Sequence, residues 1–451
     1  MADVFFRRPR VFALRHGQER AGRRSPGPLL ALSAALGVFG ATSAACGGEL
    51  RNIVKDLYGG DGITLSQTSN VVHEAHFTTL SLQGLENLNS AIASNLGFLS
   101  FNSAVTGFEL DLETGVPMRT TDSLGPLVAE TATTIGEGKF NVGFSYTRAH
   151  YTRFQGRKLS DQSLVLTHPD AFGPPVPGGD QGVPGPPDGL LADVVIFPNG
   201  VRTVIDLERD VVLVNINIQI DQDIYAFYGT YGVTSNWDVG IIVPVVTTKA
   251  RADAFAQVIP ASPKDPDALP SPHSFVGSVD TQDSHTGGSA TGIGDVILRT
   301  KYTLLKNDVD LPDLAVGGQA VLPTGDEKDL LGTGETRLLA GLVVSKGFDN
   351  ITPHVNLGYE YVPGDNALSN MRYIAGCDVA VTQQVTVAAD ILGRWEPDGD
   401  DIGDNIIDAA VGCKLAPTDS LYLNFNMVFP VNRNEGLRAT VIWTVGFEWT
   451  F

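Results

Sequence analysis

The chain ends on the segment Gly436 to Phe451 (GLRATVIWTVGFEWTF), in which residue character alternates with a period of two. The odd positions from Ala439 to Phe451 are apolar and rich in aromatic residues. The even positions are mainly polar and carry Arg438 and Glu448. This pattern predicts a β-strand with one apolar and one polar face. Both a soluble β-sandwich and a membrane barrel use such strands, so the rest of the chain decides between them.

The same alternation recurs from Gly138 to the end of the chain. It predicts 12 strands: Lys139–Tyr151, Asp206–Val233, Trp237–Ala250, Gly292–Leu305, Asp313–Leu322, Glu335–Ser345, Ile351–Val362, Arg372–Thr382, Val385–Trp395, Asn405–Leu415, Leu421–Phe429 and Leu437–Phe451. Two weaker segments, Ala104–Glu113 and Leu127–Ile135, would raise the number to 14.

The connections between these strands alternate in length. Short turns at 234–236, 306–310, 347–350, 382–384 and 416–420 alternate with longer, acidic loops such as 323–334 and 396–405. Short periplasmic turns and longer external loops are typical of outer-membrane barrels. Strands of about 9–11 tilted residues are long enough to cross a bilayer. We therefore predict an all-β fold, an antiparallel transmembrane barrel of the bacterial outer membrane.

Composition agrees with a protein of strands and turns. The chain contains 50 Gly and only 18% charged residues. After residue 46 it has no apolar run of the about 18 residues that a membrane-spanning helix needs.

The first 45 residues have the organisation of an export signal. Seven arginines precede the apolar run Leu29 to Ala41, and Ser43-Ala44-Ala45 offers small residues for cleavage. We expect residues 1–45 to be the signal peptide, 46–137 an N-terminal segment and 138–451 the barrel. Cys46 directly after Ala45 leaves a lipoprotein cleavage site open as an alternative.

The N-terminal segment contains a stretch with helical periodicity, Leu80 to Leu99. It would form a short amphipathic helix at the periplasmic mouth or a plug inside the lumen, and the sequence leaves both open. Without the signal peptide the chain has 24 basic and 49 acidic residues, a net charge of −25. This acidity argues against nucleic acid as a partner.

The predicted strand Asp206–Val233 is unusually long. Its apolar residues from Val212 to Tyr228 keep even parity through Asp221-Gln222-Asp223, which indicates one strand projecting beyond the membrane rather than two strands and a turn. Pro244 lies within the next strand and predicts a bulge there. Two segments rich in Pro and Gly or in Pro and Asp, Thr152–Arg202 and Asp253–Gly288, are expected to be exposed loops.

Several phrases resemble a known family. They are YGVTSNWDVGIIVPVV (231–246), GIGDVILRTKYTLL (292–305), VLPTGD (321–326), LGTGE (331–335) and HVNLGYEY (354–361). Together they are similar to outer-membrane transporter-like proteins associated with phenol meta-pathway degradation, which are distantly like the long-chain fatty-acid channels. The resemblance covers residues 205–451. It implies passage of hydrophobic or aromatic compounds and brings no catalytic motif.

If the aromatic faces meet lipid, the opposite positions of each strand line the lumen. The charged and histidine residues at these positions are the lumen-lining candidates: Asp221, Asp223, Asp238, Asp295, Arg299, Lys301, Arg337, His354, Glu360, Arg372, Asp378, Asp390, Arg394, Asp408, Lys414, Arg438 and Glu448. They would either pair across the interior as structural ion pairs or form a polar constriction that selects permeant molecules. The predicted membrane-interface aromatics are Trp237, Trp395, Phe447, Trp449 and Phe451.

The residue types do not support catalysis, a metal site or a cofactor. Most histidines of the mature chain lie in the N-terminal segment or in loops, and none lies in a GxSxG-like setting. We therefore expect a channel for passive uptake of small hydrophobic or aromatic compounds, not an enzyme. Its expected partners are outer-membrane lipid, the barrel-assembly machinery and the permeant. The alternative is a structural or adhesive barrel with a closed lumen and functional external loops.

Overall fold

The computed structural model describes residues 49–58, 62–66, 108–110, 117–119, 123–166, 194–196, 202–204, 211–259, 274–277, 279–306, 310–364, 368–397 and 405–451. The predicted signal peptide, Cys46 and the segment Leu80 to Leu99 lie outside these residues, and so do the greater parts of the loops 152–202 and 260–273. Among the described residues, no helix is both long and apolar enough to cross a bilayer.

Among the residues that the structure describes, nearly all regular structure is β-strand. Two single-turn 3₁₀ helices, Leu50–Asn52 and Lys55–Leu57, precede the strands β1 (Phe108–Leu110), β2 (Pro117–Arg119), β3 (Phe140–Phe154), β4 (Arg157–Lys158), β5 (Gln162–Leu166), β6 (Val194–Ile196), β7 (Arg202–Val204), β8 (Val211–Thr234), β9 (Trp237–Ile259), β10 (Thr281–Ile293), β11 (Val296–Leu305), β12 (Asp313–Leu322), β13 (Arg337–Ser345), β14 (Ile351–Tyr361), β15 (Asn370–Thr382), β16 (Val385–Trp395), β17 (Asn405–Leu415), β18 (Leu421–Pro430) and β19 (Leu437–Thr450).

Twelve of these strands close into an antiparallel ring. The ring runs from β9 through β11 to β19 in chain order and then through β3 and β8 back to β9. The prediction of a 12-stranded barrel is confirmed, and the count of 14 is wrong. Of the two additional candidates, 104–113 is described only at 108–110, the short β1, which pairs with β2 outside the ring. The other, Leu127–Ile135, contains no strand.

The ring closes where the last strand meets the first. β19 pairs with β3, and the backbone N–H groups of Phe140 and Phe451 each donate to the other residue's carbonyl at 2.8 Å. On the outer face of this seam, aromatic rings of β8, β3 and β19 contact one another. The ring centroids of Phe144 and Phe447 lie 6.0 Å apart, and those of Tyr146 and Trp443 lie 5.4 Å apart. Such pairs contribute about 0.5–1.5 kcal/mol each beyond their buried area.

The barrel has two different ends. The turns at 235–236, 346–350, 383–384 and 416–420 lie at one end, called here the short-turn end. The loops 323–336, 362–369 and 431–436 lie at the other, the long-loop end. This arrangement agrees with the alternation of loop lengths in the sequence.

A small sheet extends the barrel at the long-loop end. β8 and β9 pair from Val211 with Ile259 to Thr234 with Trp237, far beyond the height of the other strands. β5 pairs with the projecting part of β8, and β10 pairs with that of β9. The prediction of one long strand is confirmed by β8. The prediction that 253–288 is entirely loop is wrong, because β9 continues to Ile259 and β10 begins at Thr281.

The predicted bulge at Pro244 is also wrong. β9 runs through Pro244 in unbroken register with Ala226 of β8. The interruption lies instead in the neighbouring strand, at Gly294 and Asp295 between β10 and β11, where the Gly294 N–H donates to the Pro244 carbonyl at 2.8 Å. The irregularity that a proline within a sheet requires therefore lies between β10 and β11, which pair with β9, and not in β9 itself.

The extension has its own hydrophobic core on its inner face. Val214, Ile216 and Ile218 of β8 are buried there together with Leu57 and Ile63 of the N-terminal residues 49–66. These N-terminal residues also contact the loop 323–336, since Arg51 donates to Glu327 at 2.8 Å. Glu49 accepts from Lys328 and Arg51, whose charges lower the pKa of its carboxyl.

The apolar face of β8 was assigned to the wrong side. The predicted inward position of Asp221 and Asp223 implies that the even residues Ile224, Ala226 and Tyr228 face lipid. They are instead buried on the inner face, whereas Tyr225 and Phe227 are exposed on the exterior. The reason is the extension: above the membrane the exterior meets water, so apolar residues are buried inside. An apolar stripe that is continuous along β8 therefore cannot stay outside.

This change of environment along one face predicts a position-dependent cost for a charge. Ile241 and Gln257 both point outward from β9, Ile241 at the level of the barrel wall and Gln257 in the extension. Ile241→Arg is expected to destabilise the folded barrel by about 2–4 kcal/mol, because the charge faces hydrocarbon. Gln257→Arg is expected to cost less than about 0.5 kcal/mol. Urea unfolding in lipid vesicles measures both, and equal costs would contradict the assignment of the membrane level.

Candidate functional site

The inner wall of the barrel carries charged side chains at its long-loop end. Arg337 and Arg372 bind Glu360 from the two strands beside it, at 3.2 Å and 2.5 Å. Arg394 lies 2.8 Å from Glu396, and Arg438 lies 2.6 Å from Asp408. Each Arg is thus within reach of an acidic partner, which reduces the cost of burying the charges.

A second charged group lies deeper in the wall. His354 of β14 lies between two carboxylates of neighbouring strands, with Nε2 2.6 Å from Asp390 and Nδ1 3.2 Å from Asp378. All three side chains are fully shielded from solvent. Asp378 also accepts a hydrogen bond from Ser123, which belongs to a segment inside the lumen.

That segment, residues 123–138, contacts the inner wall toward the short-turn end and is called here the plug. It has no regular structure, and most of its side chains are buried. The Leu124 N–H donates to Thr386 at 2.8 Å, the Ala132 N–H to Ser345 at 3.1 Å and the Ile135 N–H to Asp238 at 3.0 Å. Side chains of the wall thus replace the backbone partners that a strand would have supplied.

Glu130 is the charged anchor of the plug. Its carboxylate binds Arg299 and lies 3.8 Å from Lys301, both on β11. Its backbone N–H and carbonyl bond to the amide of Asn356 at 2.7 Å and 2.9 Å. Lys301 also donates to the Thr131 carbonyl at 3.1 Å. One residue of the plug therefore has contacts on both β11 and β14.

Another inward charge, Lys414 of β17, also contacts the plug. It donates to the Leu124 carbonyl at 3.4 Å and lies 3.9 Å from Glu448.

Of the lumen-lining candidates, 14 lie on the inner face of the strands: Asp238, Arg299, Lys301, Arg337, His354, Glu360, Arg372, Asp378, Asp390, Arg394, Asp408, Lys414, Arg438 and Glu448.

Two candidates do not face the lumen. Asp221 and Asp223 point outward from β8, with the same parity as Tyr225, and lie within 4.0 Å and 3.6 Å of Arg148 on the exterior of β3. Their assignment to the lumen is wrong, and it fails for the reason given above: the apolar residues opposite them line the inside of the extension.

Asp295 is a third exception. It lies between β10 and β11 and accepts hydrogen bonds from the backbone N–H groups of Gly325 and Thr333, at 3.0 Å and 2.7 Å. It therefore fixes the loop that contains the LPTGD and LGTGE phrases rather than lining the lumen. A Cβ at Gly332 would lie 2.3 Å from the Asp295 carboxylate, which explains why this phrase needs a glycine.

The five predicted interface aromatics all lie on the exterior of the barrel. Trp237, Phe447, Trp449 and Phe451 are exposed near the short-turn end, and Trp395 is exposed near the long-loop end. Trp237 also donates from its indole to Thr300 of β11 at 2.8 Å.

A luminal cavity of about 150 Å³ lies above the plug. Apolar side chains form much of its lining, among them Val128 and Ile135 of the plug and Ile242, Leu339 and Ile374 of the wall. Its polar lining includes Glu130, Asp238, Arg299, Lys301, Gln319, Asn356 and Arg372.

The sequence pattern does not identify residues 123–138 as a plug. It predicts an additional strand at Leu127–Ile135, because apolar residues alternate weakly with polar ones there. Two features of the segment distinguish it from a strand: it lacks aromatic residues, and it is flanked by Gly125, Gly136 and Gly138, which all adopt positive φ. The hydroxyl and amide partners Ser345, Asn356 and Thr386 carry no charge pattern and were not predicted.

A family model described as "Putative MetA-pathway of phenol degradation" matches residues 199–443. A search of curated protein sequences finds no match.

Solved structures that resemble the chain include an outer membrane channel from Pseudomonas putida F1, with a TM-score of 0.39 and 11% identity over 71% of this chain and 98% of that one. They also include a Pseudomonas aeruginosa FadL homologue, with a TM-score of 0.32 and 10% identity over 79% and 97%. A third is the CymD monoaromatic hydrocarbon channel, with a TM-score of 0.32 and 9% identity over 70% and 89%.

The anchoring role of Glu130 predicts that its neutralisation loosens the plug. Glu130→Gln leaves Arg299 and Lys301 without their shared carboxylate, and removal of one partner from a buried ion pair typically costs about 3–5 kcal/mol. A cysteine placed at Ala132, which is fully buried, should then react faster with a water-soluble maleimide than it does beside wild-type Glu130.

Glu49→Gln is the matched control, since it also removes an ion-paired carboxylate but lies in the extension. Labelling is compared with the parent protein, whose own cysteines, Cys46, Cys377 and Cys413, supply the background. If Ala132→Cys reacts equally fast in all three backgrounds, Glu130 does not anchor the plug.

Proposed function

Because the chain belongs to the MetA-pathway phenol-degradation family, we propose that the barrel is a passive outer-membrane channel for small hydrophobic or aromatic compounds. In this proposal the short-turn end faces the periplasm and the long-loop end faces the outside of the cell. The permeant enters at the long-loop end, occupies the luminal cavity and leaves once the plug has moved.

The observation that carries this proposal is the combination of cavity and plug. A barrel with a purely structural role has no need of an apolar cavity beside a segment held by side chains. Beside the Glu130 anchor, the plug contacts the wall through single hydrogen bonds to residues such as Thr386 and Ser345, each worth about 0.5–1.5 kcal/mol. Such contacts can be exchanged one at a time, in contrast to the continuous ladder of a strand.

The chemistry of the lining also favours transport over catalysis. His354 is held on both sides by carboxylates, and the hydroxyl of Ser123 donates to Asp378. A nucleophile activated by a base requires a hydrogen bond between the two. We therefore expect no hydrolase activity from this group.

Removal of the plug tests the channel directly. A variant in which residues 124–135 are replaced by a Gly-Ser linker of equal length is expected to have several-fold higher single-channel conductance in planar bilayers, since the lumen loses its closing segment. The wild-type protein is expected to accelerate entry of phenol or toluene into proteoliposomes. Heat-modifiable gel mobility shows that each barrel is folded.

Two results would count against this function. A folded linker variant that still shows no openings would mean that the lumen is closed by the wall itself. Wild-type vesicles that admit phenol and toluene no faster than protein-free vesicles would favour the alternative of a structural or adhesive barrel, whose activity lies in its external loops.

A further inference from the structure

The carboxylate of Glu130 lies at the boundary of the luminal cavity. It binds Arg299 and lies 3.8 Å from Lys301, and all three residues line the cavity. The side chains of Arg299 and Lys301 each keep 13% of their exposure, and that of Glu130 keeps 15%. Protein therefore shields this ion pair on one side, while molecules in the cavity reach it on the other.

The wall beside this ion pair has a recess formed by three glycines. Lys301, Gly317, Gly341, Gly358 and Arg372 are successive partners across β11 to β15. All five line the cavity. Because the glycines have no side chains, they leave a recess on the inner wall with a cation at either end.

The rims of the recess suit a flat group that is mainly apolar. On one side the next inward residues of β12 and β13 are Gln319 and Leu339, and on the other side those of β13 and β14 are Val343 and Asn356. The cavity measures about 150 Å³, and an aromatic ring fits into a space of about this volume. A single ring with a short charged substituent thus matches both the recess and the cations beside it.

The charge balance of the lining depends on Glu130. Its charged residues are Arg299, Lys301, Arg372, Glu130 and Asp238. When the plug moves away, its carboxylate leaves three cations facing one acid, and uncompensated charge in a shielded site is costly. An anion that takes the place of Glu130 removes this cost. Such a ligand binds the vacated site better than the occupied one and therefore shifts the plug toward release.

From these observations we infer that Glu130 is an internal competitor for a carboxylate-binding site, and that small aromatic carboxylates release the plug by displacing it. This inference rests on the proposed channel function and specifies how the plug is regulated. The carboxylate of the ligand binds Arg299 and Lys301, and its ring occupies the glycine recess. At Glu130 the plug is then held by two neutral hydrogen bonds to the amide of Asn356, which water can replace.

Direct binding measurements test the competition. The purified barrel in detergent is titrated with 4-fluorobenzoate and with its neutral isostere 4-fluorobenzamide, and binding is followed by ¹⁹F NMR. Glu130→Gln removes the competing carboxylate and keeps both cations. It is expected to bind 4-fluorobenzoate at least about tenfold more tightly than the wild type, the factor that a hydrogen bond to a charged group supplies, with no change for 4-fluorobenzamide. Glu49→Gln, which removes an ion-paired carboxylate from the extension, should match the wild type for both ligands.

Release of the plug is measured by labelling of Ala132→Cys with a water-soluble maleimide. Saturating benzoate is expected to raise the labelling rate by about tenfold, because by linkage the effect of the ligand on release equals the effect of release on affinity. Benzamide, or sodium chloride at the same ionic strength, should leave the rate unchanged. In Glu130→Gln the cysteine should react fast without benzoate, and benzoate should give no further increase.

A pair of neighbouring glycines supplies the steric control. A Cβ at Gly317 would meet only the Thr300 carbonyl, at 3.9 Å, so the recess is open there. In the Glu130→Gln background, Gly317→Val fills the recess and is expected to weaken binding of 4-fluorobenzoate by about tenfold. Gly318→Val places the same side chain on the exterior, where a Cβ meets the Thr300 methyl group in ordinary contact at 3.4 Å, and should leave binding unchanged.

The outcomes separate this inference from the proposed function. Equal affinity of folded Glu130→Gln and the wild type for 4-fluorobenzoate would overturn the carboxylate site, while flux of phenol or toluene into proteoliposomes still supported the channel. If Glu130→Gln does not fold, labelling in the wild-type background decides, and equal rates with benzoate and benzamide would overturn the site. Carboxylate-selective binding that depends on Glu130 and Gly317, combined with no flux of any compound, would support the site and overturn the channel.

Discussion

Closure of the ring is the constraint on which the rest of this structure depends. In a bilayer, every backbone N–H and C=O of the wall must find a partner within the protein, because no water is available. The mutual hydrogen bonds between Phe140 and Phe451 therefore complete the backbone pairing that begins with the first strand. Once the twelve strands have closed, successive connections must alternate between the two ends, the exterior must be apolar at the level of the membrane, and the polar groups of the wall must find their partners in the lumen.

The features that follow from this constraint could be predicted from the sequence. The number of strands, the two kinds of connection and the outward aromatics depend on a period of two and on turn residues, both of which are local. The inward position of residues such as Arg337, Glu360 and Lys414 follows from the same period. Their pairing with one another could be anticipated only in kind, because the partner of each charge depends on the register between strands.

The predictions that failed share one physical cause, which is that the solvent changes along the chain. Residues on the exterior of β8 meet water at Asn215 and lipid at Phe227, although they belong to one face of one strand. A rule that assigns apolar residues to the outside holds at the membrane level and reverses in the extension. Asp221 and Asp223 lie near the boundary between these two regimes, and the sequence contains no marker of its position.

The plug could not be predicted for a different reason. A strand can be recognised in a sequence because its side chains alternate between two environments. A segment inside a lumen is surrounded by protein and needs only complementary partners. Those side-chain partners come from seven strands that are far apart in sequence, from β9 at Asp238 to β17 at Lys414. The same scattered origin explains the cavity, whose lining combines residues of the plug with residues of strands that are far apart in sequence. The shape of the cavity is thus set jointly by the wall and by the plug.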